Sequence, residues 1–361
     1  MIPLRLPALS EADGPFVTRL RGIAAAGGDG SESYLLETDE RGATYSGPHG
    51  LIAIDGATSA SLDGDIVLVD PRAKRIERIL RAGSPHNTLL VTERCDQLCV
   101  MCSQPPKKTH VDRFDWLEEA CLLAEPNLLI GVSGGEPTLY KDRLLTLIER
   151  VLTKRPDLQF HILTNGQHFE QGDVERLRRP AFRRVSWGIP LYASDPDLHD
   201  EIVGKSGAFA RLETSFAHLL LAGARVELRT VLVSSNLEAL PVLSRYVTTR
   251  LRFIEAWSIM QLEHIGFARG RWDKLFVDHQ SRFDPIARAL DWTTLHGVRS
   301  QLFNFPRCTV PKAYRGFAIA SISDWKRKYP PACSACHEQA RCSGFFEWHP
   351  DEHAMTVVEP I

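Results

Sequence analysis

The sequence predicts an α/β protein built on a partial parallel barrel, with a small β module before it and a cysteine-rich segment after it. From residue 88 onward, short apolar runs typical of strands alternate with amphipathic, helix-length stretches, which is the pattern of parallel βα units. Residues 1–85 contain only short apolar runs between turn signals, and residues 300–361 are dense in Cys, Pro, Trp and Phe. We therefore divide the chain into a mostly β module (1–85), a βα core (86–299) and a C-terminal extension (300–361).

The βα core contains six candidate strands separated by five candidate helices. Six units are fewer than the eight of a closed (β/α)8 barrel, so we expect an open or partial barrel. The strands are predicted at 87–92, 127–133, 159–164, 183–189, 225–233 and 252–259, and the helices near 114–123, 141–154, 172–178, 207–222 and 237–249.

Composition and charge exclude several classes of protein. In 361 residues, 43 Lys and Arg nearly balance 45 Asp and Glu, so the charge gives no reason to expect a nucleic acid or an anionic membrane as partner. The N-terminus lacks the apolar core of a signal peptide, and no apolar run approaches the length of a membrane-spanning helix. We therefore expect a cytoplasmic protein. In a reducing compartment, its clustered cysteines are interpreted first as metal ligands.

The first cysteine cluster directly follows the first predicted strand. Cys95, Cys99 and Cys102 have the spacing Cys-x3-Cys-x2-Cys, at the strand end where parallel βα proteins place their chemistry. Three thiolates can hold three irons of a [4Fe–4S] cluster and leave the fourth open to a cofactor or substrate, whereas structural metal sites are normally closed by four ligands. A zinc site completed by a distant His or Cys, or simply buried cysteines, remain alternatives on spacing alone.

A second motif, Gly134-Gly135-Glu136-Pro137, follows the second predicted strand. Its glycines let the backbone approach a ligand closely, and its carbonyls and carboxylate suit an ammonium group, although alone it could be an ordinary turn. Together the two motifs resemble the radical S-adenosylmethionine (SAM) superfamily. The resemblance implies a SAM-binding [4Fe–4S] cluster with an open iron on the three cysteines. It also implies that the Gly-Gly-Glu-Pro segment binds the amino group of SAM.

Three further positions are compared with the superfamily pattern. Asn165, after the third strand, faces SAM or takes a left-handed turn position. Arg229, on the fifth strand, pairs with the SAM carboxylate or with a structural acid. Met101 stands where the superfamily usually has an aromatic residue near the adenine, and a polarizable Met can still cover an adenine face. No catalytic residue is assigned beyond the cluster.

A second cysteine cluster lies near the C-terminus, where Cys308, Cys333, Cys336 and Cys342 could form a closed set of four ligands. Their spacing does not distinguish a [4Fe–4S] cluster from a structural zinc, and His337 could replace one ligand. Resemblance to peptide-modifying radical SAM enzymes, which often carry auxiliary clusters there, favours iron–sulfur. Cys121, in an apolar helical stretch, is interpreted as a core residue.

Longer strings between about residues 85 and 361 resemble the C-type maturase of the His-Xaa-Ser peptide-modification system. This resemblance implies a ribosomally made precursor peptide as substrate, an external electron donor and a second radical SAM maturase as partners. Docking of the precursor on the N-terminal module is a hypothesis based only on the position of that module. The strings are NTLLVTERCDQLCVMCSQPPK, SGGEPTL, LTNG, PLYASD with His199-Asp200, VGKSGAF, SISDWK and the final Cys-x2-Cys-x5-Cys-Ser-Gly-Phe-Phe.

Four polar residues of the βα core are weaker candidates for the substrate side of the site. They carry groups that could contact or deprotonate a substrate, but helix caps and solvated faces explain such residues more often. They are Tyr192, His199, Asp200 and Glu263.

Overall fold

A computed structural model of the chain describes residues 2–22, 30–350 and 358–361. Along the chain lie a closed β-barrel, an open parallel sheet with its helices, and a segment of short turns. Within the described ranges, no helix has both the length and the apolar character needed to cross a membrane.

The N-terminal part is a seven-stranded barrel with the strand order β1-β5-β4-β3-β2-β6-β7, closed by antiparallel pairing of β7 with β1. This agrees with the mostly β module expected from the sequence. Its elements are β1 (Arg5–Ser10), β2 (Phe16–Arg21), β3 (Glu32–Thr38), β4 (Gly42–Gly47), β5 (Gly50–Asp55), α1 (Ser59–Leu62), β6 (Ile66–Asp70) and β7 (Arg75–Leu80).

Strand β6 explains how the barrel attaches to the rest of the molecule. Val67 and Val69 lie in the barrel's own core, whereas Ile66 and Leu68, on the opposite face, belong to the main core of the protein. A strand that is buried on both faces has a continuous apolar sequence instead of an alternating one, as in this stretch. The barrel therefore packs directly against the parallel-sheet part.

The central sheet contains seven strands, one more than predicted from the sequence. All neighbours are parallel and follow in chain order, so β8 and β14 are the outermost strands and the sheet stays open. The strand missed by prediction, β14, has only four residues and begins at position 300, where the βα pattern of the sequence fades. The strands are β8 (Asn87–Thr92), β9 (Leu129–Gly134), β10 (Gln159–Leu163), β11 (Val185–Pro190), β12 (Arg225–Val231), β13 (Ala256–Met260) and β14 (Ser300–Phe303).

Helices follow the strands, and their local sequences explain their ends. Gly223, with φ of 66°, terminates α6 because glycine adopts the left-handed conformation without strain. Asp195 caps α5 by accepting a hydrogen bond from the Leu198 N–H. The periodicity predicted neither α5 nor α10. The helices are α2 (Phe114–Leu122), α3 (Lys141–Lys154), α4 (Val174–Leu177), α5 (Pro196–Val203), α6 (Ala208–Ala222), α7 (Leu240–Arg250), α8 (Gly266–Arg269), α9 (Trp272–Leu275) and α10 (Asp284–Leu295).

Beyond β14, the chain forms short 3₁₀ turns and one pair of two-residue strands. This segment crosses from β14, where the Ile319 N–H donates to the Leu302 carbonyl, to the N-terminal barrel, where Arg81 forms a bidentate ion pair with Asp324. The strands are β15 (Arg327–Lys328) and β16 (Phe345–Phe346), and the 3₁₀ turns are Arg307–Thr309, Lys312–Phe317, Asp324–Lys326, Pro331–Ala335 and Gln339–Arg341.

Candidate active site

The loop with the first three cysteines leaves the C-terminal end of β8 and is held by main-chain hydrogen bonds. The Leu98 N–H donates to the Val203 carbonyl (3.1 Å) and the Val100 N–H to the Ile202 carbonyl (2.9 Å), which joins the loop to the end of α5. The Phe267 N–H, at the start of α8, donates to the Cys102 carbonyl (2.9 Å). The loop is therefore shaped by the fold itself, at the strand ends where the sequence places it.

The three thiols of this loop are close enough to interact electrostatically. Burial raises the pKa of Cys99 to about 12 and of Cys95 to about 11, and repulsion among the three sulfurs adds to both. Burial also raises the pKa of Cys102. Three thiolates in a half-buried loop need a positive centre to become stable, and iron ions supply one. The donor set therefore fits an iron–sulfur cluster with three protein ligands.

The Gly134–Pro137 segment is attached to the base of this loop. The Gly135 N–H donates to the Thr92 carbonyl (2.9 Å) and the Glu136 N–H to the Arg94 carbonyl (2.7 Å). A Cβ at position 134 would lie 2.2 Å from the Thr92 oxygen, and one at position 135 would lie 2.1 Å from the Arg94 oxygen. The glycines are thus required by the close approach of two protein segments. The sequence had suggested a different reason, the approach of a ligand.

Glu136 is fully buried, and four donors surround its carboxylate. They are the N–H and hydroxyl of Thr138, the hydroxyl of Thr164 and the N–H of Asn165. Burial raises the pKa of this carboxyl, while the four hydrogen bonds favour its charged form. Because Pro137 starts a 3₁₀ turn there, Glu136 also caps that turn. A ligand could reach the half-buried main chain of Gly134 and Gly135 more readily than this side chain.

Asn165 connects this segment with the cysteine loop. Its side-chain amide donates to a carboxylate oxygen of Asp96 (2.8 Å), and its side-chain oxygen accepts from the Gln167 N–H (3.0 Å). Asp96 also pairs with Lys205 and with His168, whose Nε2 lies 3.3 Å from the carboxylate. Burial would raise the pKa of Asp96, but the nearby His168 ring and the Lys205 ammonium group hold it well below its usual range.

Arg229 pairs with a structural acid. Its Nη1 lies 3.1 and 3.0 Å from the two carboxylate oxygens of Glu227, two residues earlier on β12, and its guanidinium stacks over the ring of Phe303. Glu227 also accepts from Ser258 and lies 2.7 Å from His161. Despite burial, the charge of Arg229 and the hydrogen bond from His161 lower the pKa of Glu227 to about 2. The sequence left two partners open for Arg229, the SAM carboxylate and a structural acid, and in the structure it pairs with the acid Glu227.

Met101 is buried in an apolar cluster that also contains Tyr192, Val233 and Leu262. Tyr192 lies at the end of β11, and burial, followed by the charges of Cys99 and Cys102, raises the pKa of its phenol well above the usual value. This side chain therefore lies beside the three-cysteine loop, where the sequence had offered it only as a weak candidate.

The other weak candidates differ in what surrounds them. His199 is buried and its Nδ1 accepts the Tyr192 N–H, and burial lowers the pKa of its ring to about 4, so it is a neutral packing residue. The carboxylate of Asp200 accepts the N–H groups of Gly207 and Phe209 at the start of α6. Burial raises the pKa of Glu263, which lies 4.0 Å from Lys326 of the C-terminal segment.

The four C-terminal cysteines meet although up to 34 residues separate them (342 − 308). They line one small cavity together with Tyr329, Phe345 and residues 358–361, and His337 is not in that lining. Burial, followed by the charges of Cys342 and Cys333, raises the pKa of Cys308 to about 11. The sulfur of Cys342 accepts the N–H groups of Arg307 (3.3 Å) and Gly344 (3.4 Å), as expected for a metal-bound thiolate.

A closed set of four cysteine ligands is compatible with two kinds of metal centre. Four sulfurs bound tetrahedrally to one zinc at about 2.3 Å would lie roughly 3.8 Å from one another, whereas a [4Fe–4S] cluster spreads its four ligands over four irons. The four cysteines that line this cavity match the donor chemistry of both centres.

The family model described as the radical SAM superfamily matches residues 89–241. Among curated proteins, the chain is similar to the PqqA peptide cyclase of Methylocella silvestris, with 26% identity over 153 residues covering 41% of this chain and 40% of that protein. It is similar to the PqqA peptide cyclase of Ruegeria pomeroyi, with 29% identity over 160 residues covering 42% and 40%. A probable GTP 3′,8-cyclase of Methanocaldococcus jannaschii is 29% identical over 117 residues, covering 31% and 38%. The chain thus spans about two fifths of the length of these relatives.

Among solved structures, SuiB of Streptococcus suis bound to S-adenosylmethionine is similar, with 19% identity and a TM-score of 0.48 over 60% of this chain and 49% of that chain. Native anSMEcpe with bound AdoMet has 14% identity and a TM-score of 0.44 over 60% of this chain and 62% of that chain.

Proposed function

We propose that this chain, whose residues 89–241 match the radical SAM superfamily model, is a radical SAM enzyme that modifies a ribosomally made precursor peptide. The observation that carries the chemistry is the joining of the cysteine loop to the Gly134–Pro137 segment, through hydrogen bonds from Gly135 to Thr92 and from Glu136 to Arg94. The three cysteines and a reachable glycine main chain thus lie side by side at neighbouring strand ends. The cysteines would bind the cluster, and the glycine main chain would bind the amino group of SAM.

Each part of the site has a distinct role in this proposal. Cys95, Cys99 and Cys102 would hold the cluster, and the main chain of Gly134 and Gly135 would receive the amino group of SAM. When bound, the cluster and SAM would supply the radical chemistry that abstracts hydrogen from the substrate. The protein contributes positioning and the exclusion of water, which the apolar packing of Met101 and Tyr192 beside the loop supports.

Although Arg229 pairs with Glu227, it can still contact the carboxylate of SAM. Only Nη1 bonds to Glu227, so the remaining N–H groups of the guanidinium can receive a carboxylate. Asn165, by contrast, uses its side chain to hold Asp96. We therefore assign contact with the SAM carboxylate to Arg229 and a supporting role to Asn165.

A peptide is proposed as the substrate because two curated relatives are named PqqA peptide cyclases. The four C-terminal cysteines support the same class, since peptide-modifying radical SAM enzymes often carry an auxiliary cluster there. We propose an auxiliary [4Fe–4S] cluster on Cys308, Cys333, Cys336 and Cys342, which line one cavity, with a structural zinc as the alternative. The sequence strings further support a His-Xaa-Ser precursor, a second radical SAM maturase and an external electron donor.

Anaerobic reconstitution tests the chemistry. The purified chain, loaded with iron and sulfide and reduced with dithionite, should convert SAM into 5′-deoxyadenosine and methionine. Cys99→Ala should abolish this conversion because it removes one of the three cluster ligands. Cys121→Ala is the matched control, since Cys121 is fully buried in α2, and it should keep the activity. Deoxyadenosine from Cys99→Ala at the wild-type rate would contradict the assignment, and its absence from the wild type would favour a non-catalytic scaffold.

A small-molecule substrate is the second candidate, and the similarity to a probable GTP 3′,8-cyclase favours it. Mass spectrometry of a His-Xaa-Ser precursor encoded beside this protein and co-expressed with it separates the two. A mass change that depends on Cys99 supports the peptide substrate. An unmodified precursor, together with rapid deoxyadenosine formation in the presence of GTP, supports the small molecule.

A further inference from the structure

Asp96 is the one charged residue between Cys95 and Cys102, and its side chain reaches out of the cysteine loop. It accepts hydrogen bonds from the side-chain amide of Asn165 (2.8 Å) and the ammonium group of Lys205, and the Nε2 of His168 lies 3.3 Å away. These partners are 69 to 109 residues away in the sequence. Asn165 and His168 follow β10, and Lys205 lies between α5 and α6. A single carboxylate therefore fastens the loop to two other parts of the site.

The connection continues beyond Asp96. The main-chain N–H of Asn165 donates to the carboxylate of Glu136, so Asp96, Asn165 and Glu136 form a continuous chain of hydrogen bonds. This chain joins the cysteine loop, the end of β10 and the Gly134–Pro137 segment. The distance between the cysteines and the glycine main chain is therefore set partly by Asp96.

The charges at this position are also balanced. A carboxylate directly after Cys95 would add negative charge beside three thiolates, and Lys205 offsets that charge locally. The side chains of Asp96 and Lys205 are only 24% and 27% exposed, so their pairing is weakly screened by solvent. Charge-assisted bonds in such a setting hold a defined geometry better than exposed ion pairs do.

We propose that Asp96 is a positioning residue of the active site, which holds the three-cysteine loop in register with the Gly134–Pro137 segment so that one SAM molecule can contact both. The inference rests on the proposed function. In it, Asp96 touches neither SAM nor iron and acts through Asn165 and Lys205.

Asp96→Asn tests this role in the reconstituted protein. The amide keeps one acceptor for Asn165 but cannot pair with the charge of Lys205. We expect wild-type iron and sulfide contents and about tenfold weaker SAM binding by equilibrium dialysis, as lost charged hydrogen bonds predict. We also expect a smaller SAM-induced change in the electron paramagnetic resonance spectrum of the reduced cluster. Lys205→Met should act in the same direction, and Asp96→Glu should restore part of the affinity.

The control removes a carboxylate close to the loop but outside this network. Glu93 pairs with Lys107 (2.7 Å), and Glu93→Gln should bind SAM like the wild type. Unchanged SAM affinity in both Asp96→Asn and Lys205→Met, with full iron, overturns the inference. If Asp96→Asn cannot hold iron, the SAM affinity of Lys205→Met, measured by equilibrium dialysis, tests the inference by itself. A wild-type protein that binds no SAM refutes the proposed function itself. An active wild type whose Asp96→Asn and Lys205→Met variants bind SAM equally well refutes only the role of Asp96.

Discussion

The two cysteine sites differ in what holds them together. The first loop is bonded to the end of α5 and the start of α8, at the rim of a seven-stranded sheet. The second site lies among 3₁₀ turns and two-residue strands, in a segment with little regular structure. Small segments of this kind usually need a disulfide or a metal to stay folded. Under the proposed function, a metal at the first site would serve chemistry, and we expect one at the second site to serve folding as well.

The thiols themselves differ less than their surroundings. Burial raises the pKa of Cys99 to about 12 and of Cys308 to about 11, and neighbouring sulfurs add to the effect at both sites. Each group therefore needs positive charge in order to hold its thiolates. The sites are set apart by the scaffold and by the number of cysteines, three against four.

The largest effect is expected from breaking the second site. Cys342→Ala removes a sulfur that accepts two main-chain N–H bonds, and Cys333→Ala removes another lining residue of the same cavity. Metal binding supplies folding free energy in small metal-held segments, so either change should unfold the segment after residue 305. We expect rapid proteolysis there and a loss of about four irons per chain.

His337→Ala is the control, because His337 is next to Cys336 but does not line the cavity. It should keep both the metal and the resistance to protease. A loss of zinc with constant iron would assign zinc to this site. A Cys342→Ala protein with full metal content and an intact C-terminal segment would contradict the folding role.

Features that depend on neighbouring residues could be predicted from the sequence, whereas contacts between residues far apart in the chain could not. Strand β8 lies at the predicted residues 87–92, and both cysteine groups are visible as short spacings. Asp96 gave no local signal, since its partners lie on other loops, and the contacts of Glu227 with His161 and Ser258 join it to other strands. Lys205, for example, is 109 residues from Asp96. The sequence revealed the pair Gly134 and Gly135. The reason that these positions need glycine, namely the close approach of the Thr92 and Arg94 carbonyls, requires the structure.

An intermediate effect is expected from disturbing the first site through its backbone. In Gly135→Ala, the new Cβ would meet the Arg94 oxygen at 2.1 Å, so the cysteine loop must shift. Such overpacking costs about 1–3 kcal/mol, which a sheet of this size should tolerate. We expect a folded protein with a slightly lower melting temperature and at least tenfold slower SAM cleavage. Gly172→Ala is the control, because a Cβ there meets nothing within 4 Å. Equal activity of both variants would show that the approach of these segments is not needed.

The smallest effect is expected where the C-terminal segment meets the barrel. Arg81 holds Asp324 in a bidentate pair, with Nη–O distances of 3.2 and 2.9 Å, and this hydrogen bonding lowers the pKa of Asp324. A lowered carboxyl pKa stabilises the fold fully above the unfolded value of about 4 and loses that contribution as the pH falls through the folded value. Asp324→Asn should therefore lower stability by a constant amount between pH 6 and 8.

The magnitude of this effect should be at most about 1 kcal/mol, because Asp324 is 36% exposed and solvent screens the pair. Thermal unfolding at pH 6, 7 and 8 measures it, and 1 M salt should reduce it. Glu238→Gln breaks an ion pair with Arg282 that has no part in this junction, and it should leave proteolysis after residue 305 unchanged. Should Asp324→Asn release the C-terminal segment as fully as Cys342→Ala does, the segment would depend on its attachment to the barrel and not on its metal. The contrast between the two cysteine sites would then be wrong.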